Sequence, residues 1–451
     1  MNIRKTWVVQ GLLCGLLVGC GAPSSLGDSS DPPDLEETQA GLHGETDWAQ
    51  VGRTARRTSW NPLESMLGVS NVASLQEQWS VRAGYPAIAL WDSRLFVSNT
   101  AASFPDSSLG NEGAGLSALS PETGAPLWSA PQPGDANGTF DGEGFTSEMS
   151  VAFGKIYIQH TNFSPVFSTE TGRLLPADSS GMGAGMDSNF SSPIIKGSKL
   201  VLEAPEVYDS VLRRYRSAIE VIDTVSNELV WTKPLGAAFV ISDPAVASGV
   251  VFAGEESTNA LVAFDLATGQ QRWASAAVKG WIGSPSVISG RVFVLSGPNM
   301  IHAYAEKTGA LLWQTPFTAG GSKAPPSAFA QAPVLDTTSA YVALNVIGGG
   351  VGVGAFAAET GVRRWSRVLG AGTDTSSNTV LANGVLYVGT HAGTDSGKVF
   401  ALNATTGAVL TTLSFTSMVK RMIVAEGRLF VATLDGVHAF GTAVGETPTL
   451  Q

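Results

Sequence analysis

Short apolar runs separated by polar turns recur along most of this chain. Residues 241–273 read ISDPAVASGVVFAGEESTNALVAFDLATGQQRW, with apolar runs at 244–252 and 261–265, a Thr268-Gly269 turn and a last run that ends at Trp273. Strands bounded by Gly, Asn and Ser turns give this pattern, whereas a sustained period of 3.6 residues is almost absent after residue 20. The pattern therefore predicts a four-stranded antiparallel unit here and an all-β chain.

Copies of this unit follow one another along the sequence. The Thr-Gly turn recurs at Thr123-Gly124, Thr171-Gly172, Thr268-Gly269, Thr308-Gly309, Thr360-Gly361 and Thr406-Gly407, with a degenerate copy at 225–227. A tryptophan follows most of these turns by four or five residues, and the turns from Thr268 onward lie 40 and 52 residues apart. Propeller blades of four strands repeat at about 40–50 residues, so the period predicts a β-propeller.

The number of copies predicts the number of blades. Seven complete blades lie near residues 87–130, 149–178, 192–235, 243–276, 284–316, 332–368 and 379–415, and an eighth at 421–440 has only three strand patterns. Residues 75–82, LQEQWSVR, match the closing strand GQQRWASA at 269–276 but follow no blade. We therefore predict an eight-bladed propeller over residues 46–441, closed by this N-terminal strand in the last blade, and a tail at 442–451. Blades two and seven have Leu175 and Leu410 near the tryptophan position, which predicts weaker outer strands there.

The amino end has the pattern of an export signal. Arg4 and Lys5 precede an apolar run at 7–18, which is too short to span a bilayer as a helix but fits a secretory signal peptide. The run ends in Leu17-Val18-Gly19-Cys20, which resembles the lipobox of bacterial lipoproteins. That resemblance implies a signal peptide at 1–19 and a lipid-anchored Cys20, and Gly21 after it favours the outer membrane. An ordinary secretory leader is the alternative.

Residues 20–45 differ in composition from the repeats. They are rich in Ser, Pro and Gly, contain several Asp and Glu residues, and are followed by no Lys or Arg before Arg53. Such a segment cannot bury enough apolar surface to fold, so we predict a disordered acidic tether.

Charge and cysteine content narrow the class of function. The formal net charge is −11, which repels phosphate backbones and argues against nucleic acid as a partner. The two cysteines, Cys14 and Cys20, both precede the propeller, so no disulfide framework can support the fold.

The repeat resembles a known superfamily. Ala118-Leu119, Ala263-Phe264-Asp265 and Ala401-Leu402-Asn403 stand at one place in an A-L-D/N-x-x-T-G turn, which is similar to the repeat of the pyrroloquinoline-quinone (PQQ)-like propellers. The segment from Trp48 to Trp79 also resembles the start of that superfamily. Enzymes and non-enzymes share the fold. A quinone dehydrogenase would be expected to have an adjacent cysteine pair and a Glu/Asn/Asp set for calcium; the pair is missing, so we expect no cofactor and no enzymatic activity.

Polar residues near the start of the first strand of several blades are expected to ring one mouth of the central channel. They are Glu148, Asp243, Trp281, Gln331, Asn378, Lys420 and Arg421. Any propeller also has polar residues at the solvent-exposed start of its inner strands, so this ring of residues fits a structural role as well as a binding one.

An insertion in blade three is the strongest candidate for partner binding. Residues 203–217, EAPEVYDSVLRRYRS, contain Tyr208, Arg213, Arg214, Tyr215 and Arg216 in a chain that is poor in positive charge. Arg and Tyr are enriched at binding hot spots. An overlong hairpin with solvated side chains is the alternative.

Metal binding has little support in the sequence. The loop at 135–143 places oxygen-bearing residues at alternate positions, as in a calcium loop, but Phe140 stands where Gly is required and Thr146 where Glu is expected. His302 and His438 occupy equivalent repeat positions and do not converge on one site. We predict no metal site.

The lipobox, size, blade count and repeat together resemble the BamB-type outer-membrane lipoproteins. The resemblance implies a non-enzymatic, monomeric scaffold that binds envelope proteins, outer-membrane assembly components among them. Its lipid anchor would hold it at the outer membrane, facing the periplasm or the cell surface. Two alternatives stay open: a surface-exposed propeller that binds a glycan or another ligand, and a PQQ-dependent dehydrogenase.

Overall fold

The computed structural model of the protein describes residues 47–99, 115–131, 148–158, 166–175, 192–209, 214–235, 242–255, 257–297, 299–318, 332–346, 349–370, 374–375 and 379–442. The predicted signal peptide and tether, with Cys20, lie outside these residues, as do the calcium-like loop and the chain from 443 onward. The described residues are all-β apart from one 3-10 turn, and none of them forms an apolar helix of membrane-spanning length.

The strands follow each other in chain order. Before the first blade come β1 (Trp60–Asn61), the 3-10 turn (Val72–Ser74) and β2 (Gln76–Arg82). Blade one contains β3 (Ile88–Trp91), β4 (Arg94–Asn99), β5 (Gly115–Leu119) and β6 (Pro126–Pro131), and blade two contains β7 (Met149–Ala152), β8 (Lys155–Ile158) and β9 (Val166–Ser168). Blade three contains β10 (Ile194–Lys196), β11 (Lys199–Asp209), β12 (Arg214–Asp223) and β13 (Glu228–Pro234). Blade four contains β14 (Ala245–Ala247), β15 (Val250–Glu255), β16 (Ala260–Asp265) and β17 (Gln271–Ala274). Blade five contains β18 (Ser286–Ile288), β19 (Arg291–Ser296), β20 (Met300–Ala305) and β21 (Leu311–Pro316), and blade six contains β22 (Val334–Leu335), β23 (Ser339–Asn345), β24 (Val351–Ala357) and β25 (Arg363–Leu369). Blade seven contains β26 (Asp374–Thr375), β27 (Val380–Ala382), β28 (Val385–His391), β29 (Gly397–Asn403) and β30 (Val409–Phe415). Blade eight contains β31 (Val419–Ala425), β32 (Arg428–Thr433) and β33 (Gly436–Gly441).

These strands form eight sheets, which confirms the predicted eight-bladed propeller. In each sheet, consecutive strands pair antiparallel. Blade two has three described strands, and a single bridge from Leu174 to Phe167 stands where a fourth strand would begin. Blade seven gains β1, which pairs parallel with β27, and β26, which pairs with β28.

The amino-terminal strand closes the ring as predicted. β2 lies antiparallel beside β33, and Trp79 is the partner of Ala439. Blade eight therefore takes its outer strand from residues 76–82 and its other three strands from the end of the chain. Closure leaves β33 with a neighbour on both sides and removes an unpaired edge that could pair with other chains.

Burial follows the position of each strand in its blade. The inner strand β14 is buried at every residue, and β15 at all but its last, because neighbouring blades cover both of their faces. The outer strand β17 is exposed except at Trp273, which is half-buried. Near-continuous apolar runs therefore mark inner strands, and alternation with one aromatic residue marks outer strands.

The outer-strand tryptophans join six of the eight blades to the next one. The indole Nε1–H donates to a carbonyl oxygen in the turn of the following blade at 2.9–3.1 Å, in the pairs Trp79–Pro121, Trp128–Thr169, Trp231–Leu266, Trp273–Glu306, Trp313–Ala358 and Trp365–Ala404. Since Trp79 lies on the closing strand, the same contact joins blade eight to blade one.

The two blades without this tryptophan behave differently. In blade two, residues 176–191 lie outside the described residues and a single bridge joins Leu174 to Phe167, so the expected weak outer strand stays a prediction there. It does not agree with blade seven, where β30 pairs with β29 along its full length despite Leu410. In blade seven, Leu410, Leu413 and Phe415 pack against the core shared with blade eight and supply the missing apolar contact.

Candidate functional site: the channel mouth and the blade-three ribbon

A short N-terminal segment lies on the propeller axis and contacts the inner strand of every blade. We call residues 47–64 the axial segment. Its hydrogen bonds run around the ring in blade order, through Trp48–Leu90, Ala49–Val151, Gln50–Ile195, Ala55–Val246, Arg56–Val287, Thr58–Leu335, Ser59–Leu381 and Asn61–Val424. Most of its residues are buried, so it is part of the core and not a surface arm.

The backbone of the axial segment is held in an unusual conformation. Arg53, Arg57 and Ser59 have φ of 70°, 57° and 51°, which non-glycine residues rarely adopt. At Gly52, φ is 76° and a Cβ would lie 2.6 Å from the Cα of Arg57, so glycine is required. The hydroxyl of Ser286 donates to the Arg57 carbonyl oxygen at 2.9 Å, which fixes this backbone against blade five.

Arg57 is the centre of a group of charged side chains at the channel mouth. Its Nη2 lies 2.6 Å from Oδ2 of Asp243, and the Arg57 side chain is only 5% exposed. Asp243 also accepts the backbone N–H of Ser192 at 3.1 Å. A second ion pair joins Arg421 Nε to Glu148 Oε1 at 2.6 Å. We call Arg57, Glu148, Asp243, Lys420 and Arg421 the axial cluster.

The members of the axial cluster act on one another electrostatically. Burial lowers the pKa of Arg57, Asp243 and Glu148 oppose that shift, and Arg421 adds to it. Burial also lowers the pKa of Lys420, again opposed by Glu148. Charges in such a partly buried site interact more strongly than charges in water, so the two ion pairs and Lys420 form one network.

The structure brings four of the seven predicted channel-mouth residues together: Glu148, Asp243, Lys420 and Arg421. Trp281 packs beside the core of blades five and six, and its carbonyl oxygen accepts the N–H of Gly297. Gln331 and Asn378 lie outside the described residues. Arg57, the most buried charge of the cluster, was missed by the sequence analysis. Its only signal was the run Arg53, Arg56 and Arg57 in a short segment of an acidic chain.

The insertion in blade three forms a paired ribbon. β11 and β12 are the longest strands described, with 11 and 10 residues, and they pair as far as Asp209 and Arg214. Tyr208 lies opposite Tyr215, and Val207 opposite Arg216, beyond a bulge after Ala204. Arg213 lies outside the described residues. β10 pairs only with 199–201 and β13 only with 218–223, so 205–209 and 214–217 form a two-stranded ribbon beyond the blade. The insertion is therefore an extended hairpin, and its role in partner binding stays a prediction.

The residues of the channel mouth do not fit a calcium-bound quinone. The adjacent cysteine pair is absent from the sequence, and both carboxylates of the axial cluster already bind arginines at 2.6 Å. Calcium would have to displace a guanidinium from each carboxylate and would then lie among three cationic side chains. Elsewhere among the described residues, no three His, Cys, Asp or Glu side chains are placed to hold a metal.

The eight sheets and the repeated turn and tryptophan define a propeller of PQQ-like repeats, and the comparisons agree. The family model described as outer membrane protein assembly factor BamB matches residues 210–278, 257–349 and 349–445, which is more than half of the chain. The protein therefore belongs to this family. No curated protein sequence matches it.

Solved structures share the fold at low sequence identity. BamB from Moraxella catarrhalis is 15% identical, with a TM-score of 0.56, and the match covers 83% of this chain and 99% of that one. Quinohemoprotein alcohol dehydrogenase from Comamonas testosteroni is 13% identical, with a TM-score of 0.61 and coverage of 94% and 84%. The computationally designed Ika8 protein is 13% identical, with a TM-score of 0.57 and coverage of 81% and 99%. An outer membrane protein assembly factor, an alcohol dehydrogenase and a designed protein share this fold, so the fold alone does not assign a function.

Proposed function

We propose that this protein is a non-enzymatic envelope lipoprotein that binds partner proteins as a scaffold, as the BamB-type resemblance implies. Lipidation at Cys20 would tether the propeller to the outer membrane. Two features of the channel argue against chemistry there: its carboxylates are occupied by arginines, and the quinone-site cysteines are missing.

The blade-three ribbon is the observation that carries the proposal. Its two strands satisfy each other's backbone groups, so it can extend past the blade without support from neighbouring strands. Arg and Tyr together offer charge-assisted hydrogen bonds and rigid apolar area, which suits an acidic protein surface. The net charge of −11 would otherwise repel such a partner.

The proposal is tested by crosslinking and pull-down from the native envelope with Arg213, Arg214 and Tyr215 replaced by Ala. The melting temperature should hardly change, because surface substitutions usually alter stability by less than about 0.5 kcal/mol. Partner recovery should fall strongly, since hot-spot residues contribute about 2–4 kcal/mol. Lys307→Ala with Lys398→Ala, two exposed lysines away from the ribbon, is the control and should retain the partner.

Two results would contradict the proposal. Full partner recovery by the triple variant with an unchanged melting temperature would place binding elsewhere, and stoichiometric quinone uptake with calcium-dependent dye reduction would make the protein an enzyme.

The same envelope preparation tests the lipid anchor at Cys20. Cys20→Ser should release the protein or leave an unprocessed precursor, and unchanged membrane retention with normal processing would refute lipidation.

A further inference from the structure

The axial cluster has more positive than negative charge. Glu148 and Asp243 each neutralise one arginine, which leaves Lys420 as the third cation. Among the described residues, Lys420 Nζ donates to the carbonyl oxygen of Tyr85 at 3.3 Å and lies 5.1 Å from the centre of its ring. Neither contact supplies a negative charge. The five residues of the axial cluster therefore have a surplus of one positive charge, although the protein as a whole is acidic.

A second observation is that the guanidinium of Arg57 has donors that its carboxylate partner does not use. Two nitrogens of the Arg57 guanidinium, Nε and Nη1, are buried and have no hydrogen-bond partner among the described residues. Only Nη2 is used, in the ion pair with Asp243. Because these two nitrogens are covered, Arg57 contributes buried positive charge to the cluster and no direct contact to a ligand in the channel.

We propose that the axial cluster binds a small oxyanion, such as inorganic phosphate, sulfate or a carboxylate. Lys420 and Arg421 make the direct contacts, because the Arg421 side chain keeps 20% of its surface exposed whereas Nε and Nη1 of Arg57 are covered. Arg57 is a positioning residue that adds buried positive charge to the site. Ammonium and guanidinium groups form charge-assisted hydrogen bonds with oxyanions, which are stronger than neutral ones.

This site would replace the calcium–quinone site that the superfamily resemblance implies. Calcium needs free carboxylates, and here both are paired with arginine. An oxyanion needs surplus cationic donors, which the cluster has. The inference goes beyond the scaffold role, since the anion site and the blade-three ribbon share no residue and can be tested separately.

Thermal melts and titration calorimetry on the purified full chain test the site. Sodium phosphate and sodium sulfate should each raise the melting temperature above that in sodium chloride of the same ionic strength, and phosphate should bind with a measurable Kd. Lys420→Met removes the surplus charge without breaking an ion pair. It should weaken phosphate binding by about tenfold or more.

Lys307→Met is the matched control, because Lys307 is exposed in the blade-five turn at the opposite end of the strands. It should bind phosphate as the unmodified protein does. The proposal is overturned if neither oxyanion stabilises or binds the unmodified protein, or if Lys420→Met binds phosphate equally well. Stoichiometric uptake of PQQ with calcium at the same site would overturn it too.

Discussion

At the residue scale, one aromatic–glycine contact explains why the Thr-Gly turn and the tryptophan recur together. Gly309 has φ of 68°, and a Cβ there would lie 2.4 Å from Cε3 of Trp273. The indole covers this glycine and donates to Glu306 in the same turn. The turn needs glycine at position 309 because of its positive φ and also because the indole of Trp273 leaves no room for a Cβ. Gly309 and Trp273 are therefore coupled across the boundary between two blades.

Gly309→Ala and Gly290→Ala should separate these two requirements. Gly290 also has a positive φ, 70°, but nothing lies within 4 Å of the position of a Cβ there. Gly290→Ala should therefore lower the free energy of unfolding by only about 1–2 kcal/mol, the cost of placing alanine in the left-handed region. Gly309→Ala should cost about 1–3 kcal/mol more, because the indole must move. Urea unfolding of both variants measures the difference. Equal losses would mean that the tryptophan contact places no steric demand on the turn.

At the scale of elements, the axial segment depends on one buried ion pair. Arg57 is almost completely buried, whereas a quarter of the Asp243 side chain remains exposed. If Arg57 is replaced, water can therefore hydrogen-bond to the carboxylate of Asp243, which still accepts the N–H of Ser192. Arg57 has no such replacement, so the two partners are not equivalent.

Asp243→Asn should therefore destabilise the protein more than Arg57→Met. Leaving a buried charge without its partner costs about 3–5 kcal/mol, and the partial exposure of Asp243 favours the lower part of that range. Arg57→Met removes the buried charge together with its unpaired nitrogens and should cost less than about 2 kcal/mol. Arg272→Met, in a 2.6 Å pair whose arginine is 46% exposed, is the control and should cost about 0–1 kcal/mol. The reverse order in chemical unfolding would show that the burial of Arg57 does not govern the pair.

At the scale of the whole molecule, the first 36 described residues perform two tasks. The axial segment binds all eight inner strands, and β2 completes blade eight. Both ends of the described propeller therefore meet in one sheet, and the ring is closed by hydrogen bonds between residues more than 350 positions apart. The stability of the whole propeller therefore depends on residues 47–82, although they are a small part of the chain.

Two truncations test this dependence. A chain that begins at Asp47 should melt like the full-length protein, since the sequence predicts a signal peptide and a disordered tether before it. A chain that begins at Ala83 loses β2 and the axial segment, exposes the edge of β33 and should aggregate or melt at a markedly lower temperature. Light scattering and thermal melts distinguish the two. A monomeric Ala83 chain with an unchanged melting temperature would show that closure does not stabilise the ring.

The sequence by itself determined the blade count, the strand order, the closing strand and the blade-three hairpin. Each is encoded locally: apolar runs and Thr-Gly turns mark the strands, and 75–82 has the pattern of an outer strand without a blade. The tertiary structure decided the path of the axial segment and the pairing of Arg57 with Asp243, 186 residues away. It also joined Glu148 to Arg421 and packed Trp281 beside the core of blades five and six, although all three stand near the start of a blade. Periodicity specifies which face of a strand is buried, whereas the neighbours of a side chain on the axis depend on how eight sheets and one irregular segment close around it.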